Sequence, residues 1–133
     1  MPTTDSKKIE ILLFEDKGED AAQVTKHLDL SKLDFNVSIA TRLADGIEQL
    51  KTRRFDLALL NLNLPDSRDI DTLHTVMKAS QGEAIIVLTD TDDEVLSLKA
   101  LKFGAQDSIN KHRINSEAMR RSILHAIERS NLQ

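Results

Sequence analysis

The chain has 133 residues and a net charge of −4, with 40% hydrophobic and 30% charged residues, a balance that suits one soluble globular domain with its own core. Cysteine is absent, which excludes disulfides and thiolate metal sites. No apolar run approaches the roughly 20 residues needed to span a bilayer, and the acidic balance without Tyr or Trp argues against a nucleic-acid surface.

The N-terminal MPTTDSKK has no apolar segment behind its charges, so it is not a signal peptide, and a cytoplasmic location is expected. The first apolar run is IEILLF, Ile9 to Phe14, followed by acidic turn residues and a helical pattern through about Asp29. FNVSIA, Phe35 to Ala40, alternates as a strand does, and its NVS is a chance match to a glycosylation sequon. Thr41 is expected to cap the next helix, which carries Leu43, Ile47 and Leu50 on one side. FDLALLNL, Phe55 to Leu62, is the third strand, and a helix over 69–79 follows the Pro65 turn.

AIIVLT, Ala84 to Thr89, is the fourth strand. Thr91 and Glu94 form a capping box for a helix from Asp92 to Phe103, whose acidic first turn suits the positive end of the helix dipole. Gly104 stops that helix. DSIN, Asp107 to Asn110, is a weak fifth strand, and a last helix over about 115–130 presents Met119, Ile123 and Ile127 at helical spacing. Arg53-Arg54 and Arg120-Arg121 are expected on solvated helix faces. The histidines, His27, His74, His112 and His125, lie in separate elements without metal-ligand spacing.

Five strand-then-helix units predict a parallel sheet with helices on both faces, because parallel strands need crossovers. Continuously apolar strands fit a sheet covered on both sides. In such folds the functional groups lie beyond the carboxyl ends of the strands. Those ends carry Glu15 and Asp16, Asn61, Thr89 and Lys111. Paired carboxylates suit Mg²⁺, while a lysine and a hydroxyl suit a phosphoryl group. A carboxylate at position 61 could attack phosphorus and carry an acyl phosphate. The Asn61 amide cannot, because its nitrogen lone pair is delocalised and its oxygen bears no full charge.

In ILLFED, FDLALLNLNLPDS, AIIVLTDTDD and FGAQDSINK, in that order and spacing, the chain resembles the receiver domain of two-component response regulators over about Ile9 to Arg129. The resemblance implies a flavodoxin-like (βα)5 fold with strand order 2-1-3-4-5, one receiver domain over 1–133, a role in phosphorelay signalling and no enzymatic activity of its own. It places Mg²⁺ on Glu15 and Asp16 and on the backbone carbonyl of Asn63. It makes Asn61 the phosphoacceptor position, Thr89 the switch hydroxyl and Lys111 the phosphate-contacting lysine. It implies a sensor histidine kinase or phosphotransfer protein and a downstream signalling protein as partners, with neither direct nucleic-acid binding nor membrane insertion. The family signals, and could homodimerise here, through the face built from the helix 92–103, the strand 107–110 and the helix 115–130. Of the two apolar stripes on the first of these, Val95-Leu98-Leu101 and Leu96-Ala100-Phe103, one should face the sheet; Leu96, Ala100 and Phe103 are taken as the candidate partner face.

The departures from the pattern matter equally. Asn61 replaces the acceptor, which removes phosphorylation there and one negative charge from the metal site, so weakened Mg²⁺ binding is expected. Ser108 stands where the family often has a rotating Tyr or Phe, His112 where proline is common, and Asp69 where a glycine is common. Either the acceptor was replaced in an otherwise intact switch, by engineering or as a variant, or the chain is a natural pseudo-receiver that binds a partner without phosphate. A flavodoxin-type cofactor enzyme is disfavoured, since the acidic EDKGED would repel a cofactor phosphate. The chain ends soon after the last helix, which predicts a stand-alone protein or an excised input domain without an output domain.

Overall fold

A computed structural model describes residues 8–90 and 94–131. Strands and helices alternate: β1 (Ile9–Phe14), α1 (Gly18–Leu30), β2 (Phe35–Ala40), α2 (Leu43–Thr52), β3 (Leu57–Asn61), α3 (Asp69–Ala79), β4 (Ala84–Thr89), α4 (Glu94–Lys102), β5 (Asp107–Asn110) and α5 (Ser116–Asn131). All strand pairs are parallel and the order is β2-β1-β3-β4-β5. This is the flavodoxin-like architecture expected from the sequence. The residues of the expected capping box before Glu94, Thr91 and the first helical positions 92–93, lie outside the described residues.

The alternation of side chains along β1, β3 and β4 feeds two cores. Leu12, Phe14, Ala58, Leu60, Ile85 and Val87 meet Leu43, Leu50, Leu73, Val76 and Ala100 on the side of α2, α3 and α4. Ile11, Leu13, Leu57, Leu59, Ile86 and Leu88 meet Val24, Leu28, Met119 and Ile123 on the side of α1 and α5. The strand order goes with this division: the chain winds from β1 outward to the edge strand β2, then returns across β1 to β3. The switch in direction falls between β1 and β3, and the ends of these strands therefore open a crevice. Gly46 lets α2 approach β1, since a Cβ there would stand 1.9 Å from the Phe14 ring. Gly104, with φ of +117°, ends α4 as expected.

The start of α2 departs from expectation. Thr41 does not cap it; the helix begins at Leu43, preceded by the extended Arg42. Its first amides are met by the Asp66 carboxylate, which accepts from Leu43 N at 2.8 Å and Ala44 N at 3.0 Å. A residue from the loop after β3 thus caps a helix 23 positions earlier and ties that loop to α2. Arg53 is likewise not on a free helix face: past the end of α2 it pairs with Glu10 at 2.9 Å and lies over the Phe55 ring at 4.6 Å.

Burial pushes the Asp66 carboxyl up, but the hydrogen bonds from Ala44 and Leu43 and the charge of Arg42 outweigh it, and the group sits below its ordinary 3.8. A depressed carboxyl stabilises the fold fully above that ordinary value and loses its effect as pH falls through the lower folded value. Asp66→Ala is expected to cost about 1 kcal/mol in urea denaturation at pH 7. The difference from the parent should shrink as the pH falls below 3.8.

Candidate functional site at the strand ends

Phe14 and Leu60 are register partners in β1 and β3, so Glu15 and Asn61 emerge side by side at the switch point. Both are buried, at 1% and 4% exposure. Asn61 Nδ2 donates to Glu15 Oε2 at 3.0 Å, and Asn61 Oδ1 accepts from the backbone N–H of Asn63 at 3.1 Å. The opposite amide orientation would set an oxygen against a carboxylate and an NH₂ against an N–H, so both bonds favour this one. Lys17 N also donates to Glu15 Oε2, at 3.2 Å.

Lys111 enters from the other side. Its backbone N–H donates to Thr89 O at 2.9 Å, which fixes the end of β5 against that of β4. Its ammonium reaches across to Glu15 Oε1 at 2.8 Å, with side-chain exposures of 1% and 0%. It also meets Asp20 Oδ2 at 2.9 Å and Asp90 Oδ1 at 3.2 Å. Burial alone would push this lysine down; the hydrogen bonds to Glu15 and Asp20, the Glu15 charge and the Asp90 hydrogen bond raise it well above its ordinary 10.5. Its stabilising effect is therefore complete below 10.5 and is lost only as pH rises through the higher folded value. Asp90 is pushed up by burial, but bonds to Lys111 and His112 hold its carboxyl below the ordinary value.

Asp16 carries a buried Oδ1 without a hydrogen-bond partner, an arrangement costly for a carboxylate unless a cation completes it. It borders a basin of about 210 Å³ with Asn61, Asn63, Arg68 and Asp90. An orphaned carboxylate oxygen, an amide and an adjacent main chain form an all-oxygen donor set that fits Mg²⁺. Glu15 is already committed, one oxygen to Lys111 and the other to Asn61 and Lys17.

Glu15, Asp16, Asn61, Thr89 and Lys111 therefore do lie together at the strand ends, with Thr89 buried at the end of β4. Sequence reasoning does not single out Asp20 or Asp90, and it finds no metal-ligand spacing around His112. Each of the three offers a ligand atom within 4.8 Å of the others. They come from three separate elements, so no sequence spacing announces them. The one usable signal is the acidic EDKGED, in which Asp20 lies in the first turn of α1.

Two departures acquire physical reasons. Asp69 has φ of +53°, the left-handed region where glycine is cheapest, and donates its N–H to Asn63 Oδ1 at 3.3 Å. Ser108, half-buried, pairs its hydroxyl with Ser97 of α4 at 3.0 Å, which joins β5 to α4.

The candidate partner face requires correction. Ala100 is fully buried and Leu96 packs against the core on the sheet side, so that stripe faces inward. Solvent meets Val95, Leu98 and Leu101 instead, at 75%, 65% and 41% exposure. Phe103 stays half-exposed and sets its ring edge-on to His74 at 5.0 Å. The periodicity gave two equivalent stripes; only docking on the sheet distinguishes them.

The family model of the response regulator receiver domain matches residues 11–124. The chain belongs to the response regulator receiver family. It is 33% identical over 119 residues to the cell cycle transcriptional regulator CtrA of Caulobacter vibrioides, covering 90% of this chain and 50% of that protein. It is 31% identical over 118 residues to the luminescence regulatory protein LuxO of Vibrio campbellii, covering 89% of this chain and 25% of that protein. The chain thus spans half the length of the first relative and a quarter of the second. In fold it resembles the signal receiver domain of a putative LuxO repressor protein from Vibrio parahaemolyticus, with a TM-score of 0.80, 21% identity and 95% of both chains covered. Receiver domains are signalling domains that generally bind Mg²⁺ through acidic residues and interact with histidine kinases or phosphotransfer proteins. No helix among the described residues is long and apolar enough to cross a membrane.

In this receiver domain, Asn61→Asp removes the donor to Glu15 and sets two carboxylates at about the same 3.0 Å separation. Without divalent cations, that variant is expected to lose about 1–3 kcal/mol in chemical denaturation, from the lost hydrogen bond and the like-charge contact.

Proposed function

We propose that this chain is a receiver domain, over residues 1–133, whose phosphoacceptor position is held by Asn61 and is therefore not phosphorylated there. The observation that carries this reading is the position of the Asn61 side chain, buried at the crevice between β1 and β3 and bonded to Glu15. Asp16 and the Asn63 carbonyl would hold Mg²⁺ beside it, with Asn61 as a weak neutral ligand and Glu15 as an outer carboxylate. Thr89 and Lys111 would face a phosphoryl group. The metal site has lost one full charge, so its affinity falls below that of an aspartate version. The domain works in the cytoplasm in two-component signalling, receives no group at Asn61, and is not itself an enzyme.

Its partners are a sensor histidine kinase or phosphotransfer protein and a downstream signalling protein, and self-association through α4, β5 and α5 is a further route. The exposed Val95, Leu98 and Leu101 are the surface we assign to these contacts. A second reading, a pseudo-receiver acting by binding alone, is favoured by the Ser97–Ser108 pair, which occupies the position of the rotating ring.

Intact-mass analysis after incubation with Mg²⁺ and acetyl phosphate tests the first reading. The parent chain should stay unlabelled while Asn61→Asp gains one phosphoryl group; labelling of neither assigns the chain to the second reading. Mg²⁺ titration should give a several-fold weaker affinity for the parent than for Asn61→Asp, and equal affinities would refute the weakened site. Val95→Lys with Leu98→Lys should abolish partner binding or self-association in sedimentation without lowering stability, since both side chains are already in water.

A further inference from the structure

The acidic groups around Lys111 exceed what the ion pair with Glu15 needs. Its ammonium has three N–H donors, and three carboxylates take them: Glu15 at 2.8 Å, Asp20 at 2.9 Å and Asp90 at 3.2 Å. Glu15 comes from the end of β1, Asp20 from the first turn of α1 and Asp90 from the residue after β4, so the grip closes from three directions. The backbone of Lys111 is fixed to Thr89 O at 2.9 Å, and the side chain is 1% exposed. Asp90 leans on His112 Nε2 at 3.4 Å and also borders the basin that contains Asn61.

We propose that Asp20 and Asp90 are positioning residues that, with Glu15, hold Lys111 in a carboxylate cage and so withhold it from a phosphoryl group at position 61. The inference rests on reading position 61 as the phosphoacceptor site. It adds a second restraint to the missing carboxylate: even with an acceptor restored, the lysine must turn from Asp20 and Asp90 before it can serve a phosphoryl group. The same carboxylates present negative charge to an incoming phosphate, and in a partly buried basin that charge is weakly screened. In an Asn61→Asp chain, a carboxylate oxygen forms the new O–P bond while the P–O bond to the donor's acyl group breaks and the acyl group leaves as its carboxylate. Lys111 aids this only when its N–H groups can turn to the phosphoryl oxygens.

The test compares N61D, N61D/D20N/D90N and N61D/E19Q in phosphoryl incorporation from acetyl phosphate at saturating Mg²⁺, read by intact mass. The triple variant should be labelled about tenfold faster than N61D. N61D/E19Q, which removes one negative charge from the exposed neighbour of Asp20 without touching the cage, should match N61D. In the parent chain, proton exchange of the Lys111 ammonium, followed by ¹⁵N NMR, should accelerate about tenfold on D20N/D90N. An unchanged exchange rate overturns the cage. N61D labelled at a rate that the added substitutions leave unchanged, or that E19Q raises equally, overturns it too and leaves the phosphoacceptor reading standing. No labelling in any variant overturns that reading and the cage with it.

Discussion

The buried pair of Lys111 and Glu15 is the interaction on which the crevice depends. Taking an ammonium and a carboxylate out of water is expensive, and the pair persists only because nearly every donor and acceptor around it is used. Glu15 spends one oxygen on Lys111 and the other on Asn61 and Lys17; Lys111 adds Asp20 and Asp90. This network joins the ends of β1 and β3, the first turn of α1 and the segments after β4 and β5. Removing Lys111 would leave Glu15, with a side chain 0% exposed, without its ammonium partner, whereas Lys111 without Glu15 would keep Asp20 and Asp90. The strand ends are thus held by electrostatics where the hydrophobic core stops.

Asn61 fits this network with both halves of its amide. An amide can donate to one neighbour and accept from another, and it does both, toward Glu15 and Asn63. A carboxylate could only accept, and beside Glu15 it would demand a metal ion or a proton. An amide at position 61 thus avoids a like-charge contact with Glu15. Among the described residues, Asp16 Oδ1 is the one buried side-chain oxygen without a hydrogen-bond partner.

Two features away from the basin bear on how a signal would leave it. The loop after β3 is anchored to α2 through Asp66, so movement near position 61 is resisted by the helix it caps. On the other side, α4 is pinned to β5 by the Ser97–Ser108 hydroxyl pair, while its Val95-Leu98-Leu101 stripe stays in water.

Sequence alone determined the five strands and the parallel sheet they form, because each strand is a local apolar run and parallel strands need crossovers, while their order came from the family resemblance. It also placed Glu15, Asp16, Asn61, Thr89 and Lys111 at the strand ends, since a strand's end is set by where its own apolar run stops. The family pattern then gave them roles. What only the tertiary structure decided are the contacts between residues distant in the chain: Asp66 capping α2 in place of Thr41, Asp20 and Asp90 closing on Lys111, and α4 turning Leu96 and Ala100 inward. Two stripes of equal periodicity are indistinguishable until a sheet lies against one of them. A carboxylate has no partner until folding brings an ammonium within 3 Å, and those distances depend on packing that no local segment encodes.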